Sequence, residues 1–169
     1  MSRFLSERLA TMNAYVPGEQ PTDVEYIKLN TNESPYPPAP GVVAAATASE
    51  LNKLNLYPNP DGVRLIKKLA ETYSVEPENL IIGNGSDELL AFVYLAFFEN
   101  GVVFSDITYG FYPVYAELYE VPFEQIPLSD DLTIRVKDYI AVGKNVVLAN
   151  PNAPTGIALG LSEIEEIAK

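Results

Sequence analysis

The stretch Leu80–Phe98, LIIGNGSDELLAFVYLAFF, decides how this chain is read, because a short apolar run passes through two glycines directly into a helix. Leu80, Ile81 and Ile82 predict a strand buried on both faces. Gly83 and Gly85 supply the backbone freedom of a tight turn, and Ser86, Asp87 and Glu88 read as a helix start. From Leu89 to Phe98 almost nothing is polar, so the helix is expected to be enclosed on nearly every side. The result is a row of backbone N–H groups at a helix N-terminus, suited to an anion such as phosphate. The spacing Gly-x-Gly-x-x-Glu, lacking the third glycine, disfavours a dinucleotide fold. Asp87 and Glu88 also fit plain helix-dipole chemistry, so this stretch alone leaves the phosphate site open.

The totals narrow the classes. With 169 residues, 47% of them hydrophobic, the chain can build one substantial globular domain. No apolar run is long enough to span a bilayer, and MSRFLSERLA lacks the apolar core and cleavage site of a signal peptide, so a cytoplasmic protein is expected. A formal net charge of -12 repels a polyphosphate backbone, which argues against nucleic acid as a partner. There is no cysteine and no histidine, which excludes thiolate catalysis, disulfides, the usual zinc sites and every Ser-His or Cys-His relay. Any chemistry must come from Lys, Tyr, Asp, Glu or Ser, or from an organic cofactor.

Outward from the central stretch, strands and helices alternate. On the N-terminal side, residues 1–20 carry a weakly amphipathic stretch (Phe4, Leu5, Leu9, Met12) read as an arm. Tyr26–Leu29 reads as a short strand, and Asn30–Pro38 as an extended, proline-rich loop of the kind often used for a site. Pro40 suits a first helical position, with Gly41–Lys53 helical in tendency, and Val63–Tyr73 is an amphipathic surface helix. On the C-terminal side, Val102–Ser105, Val121–Leu128 and Asn145–Ala149 read as strands, a helix carries Val114, Leu118 and Tyr119, and Leu132–Val142 reads as a short helix. Ser162 and Glu165 predict a capping box for a helix from Leu161 to Lys169. This alternation predicts an α/β fold, a mainly parallel sheet with flanking helices. A chain stopping in that last helix reads as incomplete at its C-terminus.

Three loops, Gly83–Asp87, Ile107–Phe111 and Asn150–Gly156, follow predicted strand ends and so share one sheet edge, where open α/β folds bind ligands. They offer backbone donors, the flat ring of Tyr109, and the side chains of Asn150 or Asn152. A small phosphorylated aromatic cofactor would use all three. Taken singly, Tyr109 is equally a core aromatic and Asn152 a turn residue.

The motifs Asn30-Thr31-Asn32-Glu33-Ser34-Pro35, Tyr57-Pro58, Gly83-Asn84-Gly85-Ser86-Asp87-Glu88, Thr108-Tyr109-Gly110-Phe111-Tyr112 and Asn150-Pro151-Asn152-Ala153-Pro154-Thr155-Gly156 occur in this order. Together they resemble the histidinol-phosphate aminotransferases, fold-type I enzymes dependent on pyridoxal 5'-phosphate. The resemblance covers nearly the whole chain and the N-terminal half of the family's length. It implies an arm and substrate-side loop over 1–38 and part of the cofactor-binding large domain over 39–169. It further implies that Gly85, Ser86 and Asp87 hold the cofactor phosphate and that Tyr109 stacks on the pyridine ring. Tyr57 would reach the phosphate in the neighbouring subunit of a homodimer, and Asn32 and Glu33 would line the substrate side. The family's cofactor asparagine directly precedes Pro-Thr-Gly, where this chain has Ala153; Asn152, one residue earlier, is assigned its role. The Schiff-base lysine of the family lies beyond Lys169, so no catalytic residue is assigned and the chain alone is expected to be inactive. The implied reaction moves an amino group between histidinol phosphate and 2-oxoglutarate. The rivals are an aromatic transaminase, a phospho-amino-acid decarboxylase, and a noncatalytic truncated module.

Overall fold

Val102–Ser105 (β1) is the strand about which the ordered packing forms, and all four of its residues are buried. The computed structural model describes residues 6–10, 12, 16, 18–19, 23–24, 26–46, 51–57 and 59–169. They fall into two compact units, residues 1–19 with 86–169, and residues 20–85. In the first unit β1 pairs in parallel with Phe123–Ile126 (β2) and with Asn145–Val146 (β3), in the order β2-β1-β3. The mainly parallel α/β architecture read from the alternation of elements is therefore present.

Because successive side chains of a strand point to opposite faces, Val-Val-Phe builds two cores at once. Val102 and Phe104 face Tyr94 and Phe98, at the end of helix Gly85–Phe97 (α4), and Tyr112, Tyr115 and Ala116 of helix Phe111–Leu118 (α5). Val103 faces Ile126 and Tyr139, flanked by Ile134, Val146, Leu148 and Ile167, the last on helix Leu161–Ala168 (α6). Gly101 turns the chain from α4 into β1 with φ 96°; a Cβ there would stand 2.9 Å from the carbonyl oxygen of Pro122, which accepts the N–H of Val102.

Several expectations are corrected. Leu80–Ile82 is not a strand: Leu80 is extended, but no strand pairing forms within the described residues and Ile81 is 76% exposed. An apolar run becomes a strand only when a neighbour completes its hydrogen-bond ladder. Tyr26–Leu29 likewise forms no strand among the described residues and is exposed. Helix α4 begins at Gly85 with Asp87 and Glu88 in its first turn, but it is covered on one side only, leaving Phe92, Leu95 and Phe97 exposed. Residues 132–142 form a single 3-10 turn, Val136–Asp138, instead of a helix. Asp131 captures both the N–H and the hydroxyl of Thr133, and Leu132 takes a left-handed φ of 63°, so local side-chain bonds displace helical ones.

The remaining helices follow the sequence closely. Val63–Tyr73 (α3) forms as expected, and Pro40–Ala45 (α2) is shorter than the alanine-rich run; residues 47–50 lie outside the described residues. In the arm, Glu7–Ala10 (α1) is helical, whereas Phe4 and Leu5 lie outside the described residues. Helix α6 starts where expected, but its cap is displaced: Gly160 is the N-cap, and its N–H donates to the Glu163 carboxylate at 2.7 Å. Ser162 is already inside the first turn, and Glu165 pairs with Lys169.

Two outcomes follow from this packing. Gly101→Ala combines an unfavourable φ with a backbone clash, so it should lower unfolding free energy by about 2 kcal/mol, read from urea denaturation. Burial pushes the hydroxyl of Tyr139 up to about 12 and raises Tyr94, Tyr112 and Tyr115. Raised tyrosine values favour the neutral, folded form, so stability is intact below the ordinary tyrosine value of about 10 and falls as pH rises toward about 12. Denaturation midpoints measured across that window should show the loss, with no comparable loss on the neutral side of it.

Candidate functional site

The segment joining β1 to α5, residues 106–110, is held from several directions within its unit. Asp106 Oδ1 accepts the N–H of Ile107 at 2.9 Å and that of Leu128 at 3.0 Å, which ties the end of β1 to the chain just past β2. The Ile107 carbonyl accepts from Ser105 Oγ at 3.3 Å and from Asn152 Nδ2 at 3.0 Å. Two residues on, the Tyr109 hydroxyl donates to Asp87 Oδ1 in the first turn of α4 at 2.8 Å. Phe111 stacks on the Tyr109 ring and Tyr112 meets it edge-on.

Asp87 is a junction for these contacts. Its carboxylate takes the Tyr109 hydroxyl while its backbone carbonyl accepts from Tyr115 of α5 at 3.0 Å. The first turn of α4 is therefore fixed relative to the aromatic segment, and Ser86 and Asp87 remain exposed at the helix N-terminus. Gly85 has φ 82°, and no atom stands within 4 Å of the place a Cβ would take, so its surface is open. Exposed Ser86 and Asp87 at a positive helix end thus stand beside a half-buried aromatic ring, an arrangement whose chemistry suits an anion next to a planar group.

Asn152 is 3% exposed and sits in a doubly closed turn. Its N–H donates to the Ile157 carbonyl at 2.9 Å, and Gly156 N–H donates to the Asn152 carbonyl at 2.8 Å. Asn150 clasps Leu159 on both sides, accepting its N–H at 2.7 Å and donating to its carbonyl at 3.3 Å. The Asn152 amide nitrogen is given to Ile107, while its Oδ1 is buried with no hydrogen-bond partner among the described residues. Asn152 is one of the residues around a cavity of about 210 Å³, with Thr133, Thr155, Ile157 and Glu163.

The structure thus links Asp87, Tyr109 and Asn152 through two long-range hydrogen bonds. Ser86 lies in the same unit, whereas Gly85, Asn32, Glu33 and Tyr57 lie in the second. Asn32 has a left-handed φ of 53°, Glu33 forms an exposed ion pair with Lys28 at 2.7 Å, and Tyr57 is fully exposed. Pro58 of the Tyr57-Pro58 motif lies outside the described residues. Sequence reasoning missed Asp106, Ser105 and Tyr115; only Asp106, an aspartate directly after a strand, carried a local turn signal. Among the described residues no group of His, Cys, Asp or Glu is arranged to hold a metal ion, and no helix is long and apolar enough to cross a membrane.

The signature of the family described as Aminotransferase class I and II matches residues 24–169, and the chain belongs to that family. Proteins of the family use pyridoxal phosphate. More narrowly, the chain is 49% identical to a histidinol-phosphate aminotransferase of Brachyspira hyodysenteriae and 48% identical to one of Acetobacter pasteurianus. Each alignment takes in 99% of this chain and 48% of the relative, so the chain spans about half the length of the curated relatives it matches. A solved structure named as a histidinol-phosphate aminotransferase of Erwinia carotovora atroseptica SCRI1043 superposes with TM-score 0.73 at 27% identity, over 82% of this chain and 42% of that one. An aminotransferase structure from Burkholderia pseudomallei K96243 gives 0.71 at 31% identity, over 82% and 43%.

Removing the tether between Tyr109 and Asp87 gives a direct check on this geometry. Tyr109→Phe should cost about 1 kcal/mol of unfolding free energy in urea denaturation, the usual net worth of such a bond.

Proposed function

We propose that this chain works as the N-terminal part of a pyridoxal phosphate-dependent transaminase that moves an amino group between histidinol phosphate and 2-oxoglutarate. The observation that supports it most is the Tyr109–Asp87 bond, which sets an aromatic ring beside the open N-terminus of α4. The reaction itself rests on the resemblance to relatives bearing that name. When bound, the cofactor supplies an electron sink for the carbanion formed at the amino-bearing carbon.

The residues divide the work of holding it. The backbone N–H groups of Ser86 and Asp87 in the first turn of α4 would donate to the cofactor phosphate, and Tyr109 would lie against its ring. No lysine or arginine occurs between Lys68 and Arg135, and Asp87 and Glu88 add negative charge to the first turn of α4. The amides therefore need cationic help from elsewhere to hold a dianion. In this reading that help, and the proton-moving lysine, come from sequence following Lys169, so these 169 residues alone do not turn over. By the resemblance, fully exposed Tyr57 would reach the cofactor phosphate of a second subunit, and Asn32 and Glu33 would serve the substrate side. The working form is a cytoplasmic homodimer acting on small-molecule amino donors and 2-oxo acids.

The test uses the protein expressed from its complete gene. Incubated with pyridoxal phosphate, histidinol phosphate and 2-oxoglutarate, it should form glutamate, and Tyr109→Ala should weaken cofactor binding by roughly tenfold. Absence of cofactor uptake, or carbon dioxide release in place of amino transfer, would overturn the assignment.

A further inference from the structure

We propose that Asn152 is a positioning residue that holds the Tyr109 ring in place through the Ile107 carbonyl and does not itself touch the cofactor; its link to cofactor binding rests on the function proposed above. The side chain is enclosed, and its amide nitrogen is committed to Ile107 at 3.0 Å, two residues before Tyr109. The frame from which it projects is stiff, because Asn152 is bonded through both its N–H and its carbonyl, and Asn150 clasps Leu159 on both sides. The segment it grips is stiffened further by Asp106 at one end and by Asp87 at the Tyr109 hydroxyl.

Asn152 therefore joins the turn after β3 to the turn after β1, across 45 residues of sequence. Its Oδ1 is buried and has no hydrogen-bond partner among the described residues. A carboxylate of the same shape cannot donate to a carbonyl, so Asn152→Asp removes the link while preserving volume. The Ile107 carbonyl would then keep only the longer bond from Ser105.

Two measurements separate this role from its rivals. In the cofactor-free protein, amide hydrogen exchange over Ile107–Gly110 should quicken about tenfold in Asn152→Asp and in Asn152→Ala, while the amides of β1 and the middle of α4 keep their protection. Unchanged exchange there, or global unfolding of both variants, overturns the proposal. Pyridoxal phosphate affinity should fall about tenfold in Asn152→Asp, but by less than about twofold when the change is added to Tyr109→Ala, since a residue acting through Tyr109 has nothing left to position. Equal losses in both backgrounds mean that Asn152 acts on the cofactor directly, and the proposal falls. If the unaltered protein takes up no pyridoxal phosphate, the proposed function fails, whereas the exchange measurement still decides the role of Asn152.

Discussion

Burial of β1 on both faces is the constraint from which the described structure follows. A strand with Val102 and Phe104 on one side and Val103 and Ser105 on the other must find cover twice, and parallel pairing with β2 and β3 supplies edges while helices supply faces. Parallel neighbours require crossovers, so the chain returns through α5 before β2 and through the turn at Val136–Asp138 before β3. Each crossover leaves a loop at the C-terminal end of a strand. The loop after β1 and the turn beyond β3 are thereby brought to one edge, where Asn152 reaches Ile107.

At that edge the chain replaces flexibility with hydrogen bonds from separate segments. Tyr109 is fixed at its hydroxyl by Asp87, and its backbone is steadied through Ile107 and Asp106. A ring held in this way needs little reorganisation to receive a planar ligand, which is how preorganisation contributes to binding. Around the N-terminus of α4 the sequence holds no lysine or arginine from Leu69 to Ile134. The exposed side of the same helix, with Leu95 and Phe97 about 70% exposed, shows equally that an apolar helix does not guarantee its own cover.

Legibility followed the range of the forces involved. Val63–Tyr73 and the start of α4 were readable because periodicity, capping and glycine placement act over a few residues. The strand expected at Leu80 and the helix expected over 132–142 were not: one lacked a partner, and the other lost to the bonds between Asp131 and Thr133. For the site, Asp87 and Tyr109 stood out as motif residues, whereas Tyr115 and Ser105 had no pattern to mark them.

By itself the sequence determined the alternation of elements, the glycine-opened helix start at Gly85 and the family membership that the ordered motifs carry, since all three are written in local spacing. Only the tertiary structure decided that β1 is the central strand, that Asp87 receives the Tyr109 hydroxyl, and that the Asn152 amide turns toward Ile107. Those outcomes depend on which groups meet after the chain has crossed over, and residues 22 and 45 positions apart carry no local signal of their meeting.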